Sequence, residues 1–100
     1  MQVMAGAVIN IGSRIGEDTI INTRASVDHD CQIGRHVHIA PGVTLSGGVS
    51  VGDETLIGTG SNVIQGVSIG QRCLIGAGSN VLRDVPDDGR GCGNPMKLDC

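Results

Sequence analysis

Every sixth residue from Val3 to Val81 is aliphatic, beginning Val3, Ile9, Ile15, Ile21 and ending Ile69, Ile75, Val81. The position four residues further on is always small or β-branched: Ala7, Ser13, Thr19, Ala25, Cys31, Val37, and so on to Val85. A period of six is neither the 3.6 of a helix nor the plain alternation of a half-buried strand. It predicts a short strand, a corner and another short strand, with the aliphatic residue inside and the small residue near each corner. The register runs unbroken from residue 3 to residue 86.

A second period sits on the first. The residue after the aliphatic one is glycine at Gly16, Gly34, Gly52 and Gly70, on every third hexad. Three hexads therefore make one coil, and one face differs from the other two. Two explanations stand for these glycines: turn geometry, which glycine adopts freely, or close approach of a neighbouring chain. The fold class is all-β, a parallel β-helix of about 4–5 coils. Residues 1–86 form the hexapeptide-repeat domain. Pro86 ends the repeat, and residues 87–100 form a tail expected to cap the last coil.

Composition makes this core thin. The chain has 100 residues and no Phe, Tyr or Trp, the side chains that usually dominate burial. Small domains bury little surface, so a narrow aliphatic coil is expected to need partner chains. The net charge is −3, with no basic cluster and no aromatic platform, which argues against nucleic acid as a partner. The opening MQVMAGAVIN carries neither the basic region nor the long apolar run of a signal peptide or membrane span. A cytoplasmic setting is the expectation, with Cys31, Cys73, Cys92 and Cys100 as free thiols. They form no CxxC pair, so no zinc site is expected.

The hexads and the ending DVP…GNPMK resemble the hexapeptide-repeat acyltransferases. The run VDHDC…IGRHVHIAPG…LSGG is similar to the branch that holds sialic-acid O-acetyltransferases and bacterial amino-sugar N-acetyltransferases. The resemblance implies a left-handed coil, a homotrimer and acetyl-CoA as acyl donor, bound between adjacent subunits. It implies transfer of the acetyl group to an amine or hydroxyl of a small, sugar-like acceptor. Members of this branch usually carry an N-terminal nucleotide-sugar-binding domain, and the expectation here is a chain lacking it. A non-catalytic trimeric β-helix, retaining fold and assembly or CoA binding alone, is the alternative.

All three histidines fall within ten residues. His29 is the third residue of its hexad, outside the inward positions and near a corner. The resemblance makes it the general base, a role that suits imidazole at neutral pH. Asp30 would fix its tautomer, provided that the chain bends between them. Gly47 lies eighteen residues on, at the same corner one coil later. With no side chain there, its N–H is open to a developing oxyanion. By resemblance His38, Gly47, Thr59 and Ala77 contact acetyl-CoA, and no metal is implied. Asn62 and Asn80 read as a polar ladder along the coil. His36 receives no role. Some trimeric β-helices, the γ-class carbonic anhydrases among them, hold zinc with three histidines, but the close spacing here does not gather ligands from well-separated coils.

Overall fold

The computed structural model describes residues 1–99. It contains short strands and corners and no helix. Two-residue strands recur every six residues from Gln2–Val3 to Asn80–Val81, and each of them as far as Asn62–Val63 pairs in parallel with the strand eighteen residues later. Three sheets result. The first carries Gln2–Val3, Ile20–Ile21, His38–Ile39, Leu56–Ile57 and Leu74–Ile75. The second begins at Val8–Ile9 and the third at Arg14–Ile15. The chain is a β-solenoid of about five turns, measuring 31 × 21 × 20 Å.

The six-residue period becomes a core because each hexad turns the same residue inward. Ile21, Val27, Ile39, Leu45, Ile57, Ile75 and Val81 are fully buried in one column. Complete burial of such a side chain contributes about 1.5–3 kcal/mol. The small residues near the corners divide into two kinds. Where they are hydroxyls, they bridge successive coils. Thr19 donates to the Gly34 carbonyl (2.7 Å) and accepts from the Val37 N–H (3.2 Å). Thr55 does the same with Gly70 and Cys73. No buried side-chain N or O among the described residues lacks a partner. Valine fits the same positions because it has nearly the shape of threonine.

From Gly6 to Gly78 the third residue of each corner has a left-handed backbone, whether glycine (Gly12, Gly48, Gly66) or not (Arg24, Asp30, His36). Gly16, Gly34, Gly52 and Gly70 do not have it. A Cβ on Gly52 would lie 2.6 Å from the carbonyl carbon of Gly70 and 2.7 Å from the N of Gln71. A Cβ on Gly16 would meet the backbone of Gly34 and Arg35 in the same way. These glycines are therefore not explained by a left-handed turn. Successive coils of one chain touch backbone to backbone at this corner.

The expected register holds only to Val81. Val85, placed among the small corner residues by its spacing, instead pairs with Ile69 in the inward column. The corner at Leu82–Asp84 is two residues short, since 85 follows 69 by sixteen and not eighteen. The slip takes from the Ser68 N–H the carbonyl that an unbroken register would supply. The Asp84 carboxylate accepts from it at 2.8 Å. Arg90–Cys92 then extends the first sheet, and Lys97–Leu98 folds back antiparallel onto it. At the opposite end the first coil has a neighbour on one side only, so Val3 is 45% exposed. Cys31 and Cys73 are free and buried, whereas Cys92 is disulfide-bonded, which corrects the expectation of four free thiols. Cys100 lies outside the described residues.

Candidate active site

The corner between the second and third sheets carries His29. Asp28, the first residue of that corner, accepts the His29 N–H at 2.7 Å and the Asn10 side-chain amide at 3.2 Å. These two bonds hold the Asp28 carboxyl below the usual carboxylate range, the backbone bond being the larger cause. Beneath the corner the Ser13 hydroxyl donates to the Asp28 carbonyl (2.7 Å) and accepts the Cys31 N–H (3.1 Å). The backbone around His29 is thus tied to the coil below by side chains from two positions.

Asp30 has φ 58°, a conformation that aspartate tolerates better than most residues. This bend brings its carboxylate back to the ring: His29 Nδ1 lies 3.3 Å from Asp30 Oδ2. An ionised carboxylate only accepts, so in the neutral ring Nδ1 carries the proton and Nε2 keeps its lone pair. Both side chains are exposed, at 57% and 73%. The pair orients the ring and adds little to stability.

Gly47 stacks above. A Cβ there would lie 2.7 Å from both Cε1 and Nε2 of His29. Gly47 has no positive φ, so the ring's proximity and not the backbone conformation demands glycine. Its N–H donates to no described residue. Cys31 is buried behind the corner, its Sγ 3.3 Å from the Ser46 carbonyl, and burial pushes its thiol pKa up.

The other expected site residues lie elsewhere in the chain. His38 is on the first sheet, half-buried between Ile20 and Leu56. Thr59 and Ala77 are exposed, one above the other, at the corner between the first and second sheets. The Thr59 carbonyl accepts the Gly78 N–H at 2.8 Å. Glycines flank both, and Gly60 and Gly78 have open space where a Cβ would stand. The result is a smooth ledge that suits a narrow linear chain. The chain therefore brings His29, Asp30 and Gly47 together but separates them from His38, Thr59 and Ala77 by the second sheet. The Asn62 amide donates to Asn80 at 3.1 Å, the ladder that their spacing suggested. His36 faces Asp18 at 3.7 Å on the third corner.

Asn22 and Asp28 escaped the sequence reading. Each directly follows an inward aliphatic residue and caps the next backbone N–H, Asn22 that of Thr23 at 2.7 Å. An Asn or Asp just before a corner is a turn signal, and that signal marked both.

Comparison with known proteins gives concordant results. Residues 12–47 and 48–83 match the bacterial transferase hexapeptide family (six repeats). A variant perosamine N-acetyltransferase from Caulobacter crescentus, in complex with CoA and GDP-perosamine, superposes with a TM-score of 0.94 at 43% identity. The match covers 99% of this chain and 50% of that one. The acetyltransferase domain of PglB from Neisseria gonorrhoeae, in complex with acetyl coenzyme A, gives 0.82 at 34% identity, covering 97% and 54%. A 2,3,4,5-tetrahydropyridine-2,6-dicarboxylate N-succinyltransferase from Idiomarina loihiensis is 40% identical over 45 residues, 45% of this chain and 16% of that protein. The chain thus spans about half the length of the two structural relatives.

Proposed function

Because the chain belongs to the bacterial transferase hexapeptide family, we propose that it is an acetyl-CoA-dependent acetyltransferase acting on an amine or hydroxyl of a sugar-like acceptor. The observation that carries this reading is the His29–Asp30–Gly47 corner, where an oriented imidazole sits directly against a bare backbone amide.

His29 Nε2 takes the proton from the acceptor amine or hydroxyl as that atom attacks the thioester carbonyl. Asp30 holds the Nδ1–H and stabilises the imidazolium that forms. The Gly47 N–H faces the oxygen on which negative charge develops, a contribution often worth 10²–10³ in rate. His29 then returns the proton to the departing thiolate of CoA, so that proton and acetyl group both balance. Thr59 and Ala77 provide the ledge for the pantetheine arm, and His38 contacts the donor. The two relatives whose structures hold CoA or acetyl-CoA support this donor, and GDP-perosamine supports a nucleotide-sugar acceptor.

The separation of the two residue groups within one chain supports a site shared between subunits of a homotrimer. One subunit would supply the His29 corner and its neighbour the Thr59–Ala77 ledge. The apolar outward residues Leu56 (39% exposed) and Leu74 (43%) on the first sheet favour burial in such an assembly. Calorimetry with acetyl-CoA tests the reading, paired with sedimentation at micromolar concentration. Binding to a trimer is expected. A folded monomer that binds no acetyl-CoA would overturn it.

A further inference from the structure

The Asn22–His38 pair sets the protonation of an imidazole that the sequence left open. Asn22 Oδ1 accepts the Thr23 N–H at 2.7 Å, which fixes which way the amide points. Its Nδ2 therefore faces His38 Nε2, at 3.3 Å. An amide nitrogen only donates, so Nε2 accepts, and the neutral ring carries its proton on Nδ1. That Nδ1–H has no partner among the described residues. It stands on a half-buried strand between Ile20 and Leu56, and since no buried side-chain nitrogen among the described residues lacks a partner, this one is open at the surface to a ligand.

We propose that Asn22 is a positioning residue that locks His38 as the Nδ1–H tautomer, so that the ring donates a hydrogen bond to a carbonyl oxygen of the acyl donor. This rests on the reading of His38 as a donor contact. Nδ2 offers nothing to a ring protonated on Nε2, so the alternative tautomer and the imidazolium both lose the Asn22 contact. The acceptor must come from outside the chain, and a pantetheine amide or a thioester supplies a carbonyl of the right kind.

The test is imidazole ¹⁵N NMR on the whole protein at mildly alkaline pH, with His38→Ala used to assign the signal. The wild-type ring is expected to show a bare Nε2 and a protonated Nδ1. Asn22→Asp keeps the acceptor for the Thr23 N–H but replaces the amide donor with a second acceptor. It should reverse the tautomer while the fold is retained. Acetyl-CoA affinity should fall roughly five- to tenfold in Asn22→Asp. The double variant with His38→Ala should bind no more weakly than His38→Ala alone. Titration with CoA as well as acetyl-CoA separates the two carbonyls: a loss shared by both ligands assigns the bond to a pantetheine amide, and a loss for acetyl-CoA alone assigns it to the thioester. A wild-type ring protonated on Nε2, an unchanged tautomer in Asn22→Asp, or additive losses would overturn the proposal. A correct tautomer in a protein that binds neither ligand would instead overturn the functional reading and with it the role given to the pair.

Discussion

The imidazole of His29 occupies the space that a side chain on Gly47 would fill, with Cε1 and Nε2 each 2.7 Å from where the Cβ would be. Eighteen residues of chain separate the two, yet one coil of solenoid makes them direct neighbours. The imidazole and the amide are therefore held by the same rigid ladder, which is what precise placement requires.

Two substitutions test the role proposed for His29. His29→Ala should lower acetyl transfer by about 10²–10⁴-fold, the usual loss for a general base. Gly47→Ala should also cost activity, because its methyl group displaces the ring, while the aliphatic column stays intact. Circular dichroism and sedimentation should be unchanged in both. Near-normal turnover in His29→Ala would remove it from the mechanism.

The Asp28 carboxyl gives the His29 corner a pH dependence of known sign. Its folded-state pKa lies below its unfolded one, chiefly through the His29 N–H. Its contribution to stability is therefore complete above the unfolded value and is lost as pH falls through the folded one. Between neutral pH and about pH 3, urea denaturation should show a larger loss for the wild type than for Asp28→Asn. Equal losses would show that the Asp28 carboxylate does not hold the corner.

Glycines of two kinds should respond differently to substitution. Gly52→Ala forces a methyl group into the Gly70–Gln71 backbone, and overpacking of this sort costs about 1–3 kcal/mol. Gly66 has φ +77° and open space around its missing Cβ. Gly66→Asn should cost less than about 1 kcal/mol, since asparagine visits this backbone region. Unfolding midpoints in the reverse order would contradict the inter-coil contact.

Bulk on the ledge proposed for the donor should block binding without harming the coil. Ala77→Trp should weaken acetyl-CoA at least about tenfold, or 1.4 kcal/mol, with assembly retained. Gln71→Trp is the control, exposed on the third corner. Equal losses would indicate general damage. No loss in either would mean that the ledge does not hold the donor.

The period of six and the three-hexad coil were legible in the sequence because a parallel solenoid repeats one local environment. Each inward position must be apolar and each corner small, whatever lies at a distance. The stacking of Gly47 over His29 and of Ala77 over Thr59 followed from the same eighteen-residue arithmetic. Tertiary structure decided what this arithmetic leaves free. It assigned Gly16, Gly34, Gly52 and Gly70 to backbone contact between coils, which is a distance and not a pattern. It moved Val85 inward, because a corner two residues shorter still closes when a carboxylate replaces the lost carbonyl. It turned Asp30 back onto His29 through a left-handed backbone and oriented Asn22 toward His38. Such hydrogen bonds depend on where a single side chain points, and a residue's place in a repeat does not specify that.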